Sequence, residues 1–296
     1  MGGIIIHTQK EGLVIKNYSG FYYVQDELQH IYECKVRGKL KEKLLSGDRV
    51  MFTPLEIDKG ILEKILPRAN QLYRPRVANV TRVLIVMAFD QPKPDLGLLD
   101  RLLFLALFNR ITPFIILNKC DLAADKLAQQ ILDYYPASFR VIRTSAQLNI
   151  GMQELTDAIT GEIAVFAGPS GTGKSSMLRR LTGRMEVRTQ EVSAKIGRGK
   201  HTTRHVELYP LPQGGWIVDT PGFSVLDLPI LRREELSQYF PDFTGYAGDC
   251  KFSNCMHYRE QDCGVKTALQ AGQILPSRYD NYVVMLEDIM EKERCY

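Results

Sequence analysis

The chain has 296 residues, 45% of them hydrophobic, and a formal charge of +4. That length exceeds a usual single domain of about 100–150 residues, so two or three cores are expected, and the apolar share is that of a globular protein. The charge is too small to demand a polyanionic partner, and six cysteines in so long a chain do not make a disulfide scaffold.

The opening MGGIII lacks the basic start and long apolar run of a secretory signal, and Ile6 stands where myristoylation requires Ser or Thr. Residues 1–68 hold β-type runs, GLVIKNYSGFYYVQ, HIYECKVRG and DRVMFTPL, separated by Gly, Asp and Ser turns. This is the pattern of a small closed or partly closed barrel. Within it KVRGKLKEK spaces Lys35, Arg37, Lys39, Lys41 and Lys43 two apart, so an extended chain would point all five the same way. Such a stripe would track a phosphate backbone, although a solvated strand face has the same spacing and Gly38 is placed to turn the chain.

The Pro- and Arg-containing stretch 66–80 reads as a connector. After it, apolar runs of strand length (VTRVLIVMAF, TPFIILNKCD) alternate with helical patterns (LLDRLLFLALF, DKLAQQILDYY), which implies a parallel sheet covered by helices. Residues 96–117 form the most apolar long stretch, but Asp100, Arg101, Asn109 and Arg110 interrupt it too often for a membrane span. A buried helix followed by a strand fits better, and a cytoplasmic location is expected. The strand–helix texture recurs at RVIRTSA, EIAVFAGPSGTGKSSMLRRL and GGWIVDTPGF. From about residue 230 the chain becomes helical and charged.

GPSGTGKS (168–175), between a strand and a helix, fits the phosphate-binding pattern G-x-x-x-x-G-K-[ST]. Gly168, Gly171 and Gly173 let the backbone wrap closely. N–H groups of Ser170, Thr172 and Ser176 and at the helix start, with Pro169 shaping the loop beside them, would then surround an anion. Lys174 should reach the β- and γ-phosphates and Ser175 should ligate Mg²⁺. The loop does not say which nucleotide. DTPG (219–222) follows a strand; Asp219 there can hold Mg²⁺ through water and the Gly222 N–H can meet the γ-phosphate, though the tetrapeptide is also plain turn chemistry. Between the two motifs, Thr202 or Thr203 could complete the Mg²⁺ shell, with Thr203 taken as the ligand. His201 is a candidate for orienting water.

In NKCD (118–121) the Asp121 carboxylate can accept two hydrogen bonds from the N1–H and amine edge of guanine, a pattern adenine lacks. Asn118 would contact the other edge, the Lys119 stem would lie along the ring, and Ser145 and Ala146 of TSA would supply a backbone N–H. Taken alone, Asp121 could instead cap a helix formed by LAADKLAQQIL. The base-reading element precedes the phosphate-reading one by some fifty residues. Ligands of parallel sheets bind outside the strands' carboxyl ends, so chain order is irrelevant to their meeting, and the pattern is that of a circularly permuted GTP-binding domain.

Cys250, Cys255, His257 and Cys263 stand as C-x4-C-x-H-x5-C. Three thiolates and an imidazole complete a closed tetrahedral shell, so a structural Zn²⁺ is expected, with Cys34, Cys120 and Cys295 unliganded.

The order NKCD, TSA, GPSGTGKS, HTT, DTPG, between a small β-domain and a Cys/His cluster, resembles the RsgA/YjeQ family of ribosome small-subunit-dependent GTPases over nearly the whole chain. GRGKHTTRHVEL, VDTPGF and CKFSNCMHYREQDCGV are the most distinctive pieces. The resemblance implies an α/β protein in three parts. These are an OB-fold RNA-binding barrel (1–68), a central circularly permuted P-loop GTPase domain with a mostly parallel sheet (69–228) and a zinc-binding helical domain (229–296). It further implies a Mg²⁺-dependent GTP hydrolase acting late in 30S subunit maturation, contacting 16S rRNA, stimulated by the particle, monomeric and away from membranes. Lys174, Thr203, Asp219 and Gly222 would carry the chemistry. Phe223 stands where related hydrolases use glutamine to orient water, so slow intrinsic turnover is expected. A non-catalytic RNA-binding factor that merely carries nucleotide is the competing class.

Overall fold

The computed structural model describes residues 8–38, 42–73, 75–183, 206–219 and 228–294. The first five strands are β1 (Lys10–Tyr18), β2 (Phe21–Gln25), β3 (Ile31–Val36), β4 (Arg49–Glu56) and β5 (Lys59–Ile65). β1 pairs antiparallel with β2 and β4, β3 antiparallel with β2 and parallel with β5, and β5 antiparallel with β4. The circuit closes a five-stranded barrel and leaves no free edge among these strands. Alternate residues point inward, so Val14, Val24, Tyr32, Cys34, Val50, Phe52 and Leu62 fill the interior. Burial there pushes the Cys34 thiol up to about 12.

Two expectations change. The basic stripe is not one extended strand: β3 ends at Val36 and Gly38 takes a left-handed φ of 71°, which turns the chain. Lys35 lies exposed on β3 with its ammonium 5.1 Å from the Phe21 ring, Arg37 pairs with Glu63 at 3.6 Å, and Lys43 is exposed beyond the turn. Lys39 and Lys41 lie outside the described residues. The connector is also more ordered than its composition suggested, because it holds β6 (Gln71–Tyr73) hydrogen-bonded to β7 (Arg76–Ala78). Arg68 anchors it: its Nε and Nη2 reach the fully buried Asp48 carboxylate at 2.6 and 2.8 Å.

The chain continues through β8 (Arg82–Ala88), α1 (Leu96–Phe108), β9 (Thr112–Asn118), α2 (Lys126–Tyr134), β10 (Arg140–Arg143), α3 (Met152–Ala158), β11 (Ile163–Ala167), α4 (Lys174–Thr182), β12 (Glu207–Pro210) and β13 (Trp216–Asp219). It ends in α5 (Pro241–Ala247), α6 (Gly264–Gln270) and α7 (Pro276–Arg294). Residues 96–117 thus form a helix and a strand, and no described helix is long and apolar enough to cross a membrane.

Two compact units result. The first comprises residues 1–82, 156–166 and 178–224. In it β11 runs parallel to β13, β13 antiparallel to β12, and β12 meets barrel strand β1 at Lys16 and Glu207, whose side chains pair at 3.4 Å. The second comprises residues 83–155, 167–177 and 225–296. In it β8, β9 and β10 are neighbours in that order, with β9 and β10 parallel. β8 and β9 are buried along nearly their whole length, as strands covered on both faces must be.

The second unit is pinned by a buried charge cluster. Arg278 of α7, 1% exposed, donates to Asp100 of α1 at 2.7 Å and through two nitrogens to Asp242 of α5 at 3.0 Å. Asp100 also accepts from the Tyr135 hydroxyl at 2.6 Å and the Asn281 amide at 2.7 Å, and the guanidinium lies 4.3 Å from the Phe240 ring centre. Burial opposes the Arg278 charge, but Asp100 and Asp242 more than offset it and its pKa lies above the ordinary value. Arg278→Ala should cost about 3–5 kcal/mol, because it leaves buried carboxylates without their cation. Urea titration of the variant, read against Arg278→Lys, checks this; a loss under about 1 kcal/mol would contradict it.

Candidate nucleotide and metal sites

NKCD follows β9, TSA follows β10 and GPSGTGKS follows β11, so each motif leaves the carboxyl end of a strand. The second unit contains the first two motifs whole, together with residues 167–177. Asn118, 2% exposed, binds them together. Its amide nitrogen donates to the Thr172 carbonyl of the glycine-rich loop at 2.8 Å. Its amide oxygen accepts from the Thr144 hydroxyl at 3.2 Å and the Ala146 N–H at 3.1 Å. These hydrogen bonds of Asn118 fix one loop against another. Thr144 was not singled out from the sequence, although it is the first residue of TSA.

The loop glycines explain the close approach. Gly173 has φ 95°, and a Cβ on it would stand 2.2 Å from the Asn118 amide nitrogen; Gly168 has φ 118°, and its Cβ would stand 2.3 Å from the Val86 carbonyl. Only glycine fits either place. Lys174 opens α4, and its ammonium donates to the carbonyls of Gly168, at 2.9 Å, and Pro169. Thr172 is buried and its hydroxyl donates to the Pro169 carbonyl at 3.1 Å. Gly171 has φ 81°, Ser170 is exposed, and Ser175 and Ser176 are half-buried on the first turn of α4.

Asp121 does not cap α2. The cap of α2 is Asp125, whose carboxylate accepts from the Leu127 N–H at 3.0 Å. Asp121 stays exposed, and among the described residues it takes part in no hydrogen bond or ion pair. The preceding Lys119, at φ 61°, donates to the Gln91 carbonyl, and the Cys120 N–H bonds the Thr144 carbonyl at 3.0 Å. Lys93 adds a bond from the same loop as Gln91, pairing with Asp125 at 2.8 Å, which holds the Asp125 carboxyl below its usual range. No motif announced Gln91, because the group it offers is a backbone carbonyl. Ser145, 1% exposed, accepts from the Leu148 N–H through its hydroxyl.

Asp219 ends β13 in the first unit. Its side chain, His201, Thr202, Thr203, Gly222 and Phe223 lie outside the described residues.

The ligand atoms of Cys250, Cys255, His257 and Cys263 all lie within 4.8 Å of one another. His257 Nδ1 is 3.5 Å from Cys250 Sγ and 3.4 Å from Cys263 Sγ, and the two sulfurs are 3.9 Å apart. A tetrahedral ion bonded at about 2.3 Å to sulfur and about 2.0 Å to nitrogen needs ligand separations of about 3.5–3.8 Å, so the set fits a four-coordinate cation. Burial lowers the His257 pKa, which favours the neutral ring that ligates, and raises Cys255 to about 12 and Cys263 in the same direction. A cation would therefore displace thiol protons here. Tyr282 and Tyr279 of α7 hold the loop by donating to the Met256 and His257 carbonyls at 2.6 and 2.7 Å, a support no spacing rule foretold. Neither Cys34 nor Cys120 belongs to a metal-competent group among the described residues.

The family model for the RsgA GTPase matches residues 65–229, and that for the RsgA N-terminal domain matches residues 11–62. A relative from Carboxydothermus hydrogenoformans, named small ribosomal subunit biogenesis GTPase RsgA, is 47% identical over 96% of this chain and 99% of its own length. One from Alkaliphilus metalliredigens with the same name is 46% identical over 96% and 99%. The crystal structure of YjeQ from Thermotoga maritima matches with a TM-score of 0.83 at 34% identity, covering 96% of this chain and 99% of that one. That of YloQ, described as a circularly permuted GTPase, also scores 0.83 at 34% identity, covering 99% of each. These matches span nearly the whole chain, and the chain belongs to the RsgA GTPase family.

Proposed function

We propose that the chain hydrolyses GTP to GDP and phosphate while acting late in assembly of the small ribosomal subunit, with slow intrinsic turnover that the particle accelerates. The observation that carries this reading is the Asn118 amide, which holds the base-reading loop, the TSA loop and the glycine-rich loop together. The names of the relatives supply the particle.

In this reading Asp121 reads the guanine edge, which its exposed carboxylate favours, and Lys119 lies along the base after leaving Gln91. Ser145 and Ala146 border the base from the other side. N–H groups of residues 170–176 surround the phosphates, with Gly168 and Pro169 bordering them, and Lys174 turns from the loop carbonyls to the β- and γ-oxygens. Ser175, with Thr203 and Asp219, would hold Mg²⁺, which spreads the charge developing on those oxygens, and the Gly222 N–H would meet the γ-phosphate. The cation held by Cys250, Cys255, His257 and Cys263 is zinc, the metal that three thiolates and one imidazole suit best, in a structural role. Lys35, Arg37, Lys39, Lys41 and Lys43 contact rRNA backbone as cations. The functional divisions are 1–68, 69–228 and 229–296, in a cytoplasmic monomer.

Three measurements test these assignments. Phosphate release by the purified protein should rise roughly tenfold or more with small subunits, less at high salt; an unchanged rate would leave only a passive nucleotide-carrying factor. Asp121→Asn should lose GTP affinity by about a hundredfold and gain xanthosine triphosphate, and equal GTP binding by the variant would refute the base site. The protein should carry one zinc per chain by atomic absorption. Stripping it should lower the melting temperature by more than about 5 °C and open residues 249–263 to proteolysis.

A further inference from the structure

At the opposite ends of the strands that carry NKCD and TSA lies a second cleft. It opens where β9 and β10 begin, about 20 Å from Asn118 along the length of β9. The cavity measures about 410 Å³, within the range of pockets that hold small ligands. Leu107, Ile111, Pro113 and Pro241 supply an apolar wall, and Arg110 and Arg140 are its cations, with no acidic residue in the lining. Arg110 sits exposed at φ 58° in the link between α1 and β9, a backbone shape that fixes where its side chain departs. The Arg140 guanidinium is layered on the Phe114 ring at 5.4 Å. Among the described residues it pairs with Glu154 at 3.5 Å; the two side chains are 46% and 56% exposed, so this pair is weak and exchangeable.

An apolar wall between two permanent cations, one of them stacked, suits an anion with a flat apolar body. We propose that this cleft takes one unpaired nucleotide of single-stranded RNA, its phosphate between Arg110 and Arg140 and its base against the apolar wall and the Arg140 plane. Such stacking on arginine and on apolar side chains is how proteins hold splayed-out bases. The choice of RNA over an acidic peptide rests on the proposed function, since a ribosomal particle presents its anions as phosphates. The cleft would be an RNA contact on the face away from the guanine site, and so free to be filled whichever nucleotide is bound.

The test uses the full chain and a twelve-residue oligouridylate carrying 4-thiouridine. Ultraviolet cross-linking with peptide mapping should give adducts within residues 107–114 or 138–140. The double variant R110N/R140Q, whose asparagine tolerates the left-handed φ, should lose those adducts and bind the oligonucleotide about five- to twentyfold more weakly, with a shallower salt slope by about one unit. R110K/R140K should keep the slope and recover only part of the affinity, because lysine does not stack as arginine does. Adducts confined to the barrel with unchanged affinity in R110N/R140Q would overturn the proposal. So would tighter binding at the cleft of a labelled Glu-Leu-Phe-Glu peptide than of the oligonucleotide. Particle-stimulated phosphate release by the unaltered protein separates the two readings. Stimulation without cleft adducts removes only the cleft assignment, whereas cleft adducts without stimulation support the RNA site and remove the proposed function.

Discussion

One primary amide ties together the three loops that carry the nucleotide motifs. The glycine-rich loop and the NKCD loop are separated by some fifty residues and leave different strands, so a contact between them must tie one loop to the other. Asn118 makes that contact, because it is buried and its two ends are complementary: a donor that meets the Thr172 carbonyl and an acceptor shared by Thr144 and Ala146. A buried amide in a low-dielectric setting is costly to leave unpaired, so the three loops are held in register by the penalty of separating them. The glycine at 173 follows from the same contact, since any side chain there would collide with the amide.

The permuted order becomes physically unremarked once that contact is made. Parallel strands present their carboxyl ends on one side regardless of which was synthesised first, and the amide closes the gap across loops rather than along the chain. What the order does change is where the chain goes next. After β13 it enters the C-terminal helices, and these belong to the same compact unit as NKCD and residues 167–177.

Short contiguous motifs were legible in the sequence because their chemistry is local. The glycines at 168, 171 and 173 with Lys174, the NKCD tetrapeptide and the Cys/His spacing (250–263) each carry their own constraint within a short contiguous stretch. The closed barrel was legible from alternation in its strands. The failures share a cause. Both Asp121 and Asp125 are competent helix caps by residue type, and only the start of α2 distinguishes them. KVRGKLKEK reads as an even row until Gly38 adopts a left-handed φ. Asp100 was noticed as a charge that spoils an apolar stretch, but its cation lies 178 residues away on α7, beyond the reach of any spacing rule.

The Arg278 cluster bears on how separable the C-terminal helices are. A segment that docks through apolar surface alone can be removed at the cost of exposing that surface. Here, excision at the boundary near residue 228 would strand Asp100 inside α1 as an anion whose counter-ion left with the deleted piece. The same helix begins a few residues after Gln91, whose carbonyl holds Lys119. A truncated chain would therefore be a wounded nucleotide domain rather than an independent module, and kinetic differences between it and the full chain would report a misplaced charge as readily as a missing partner contact.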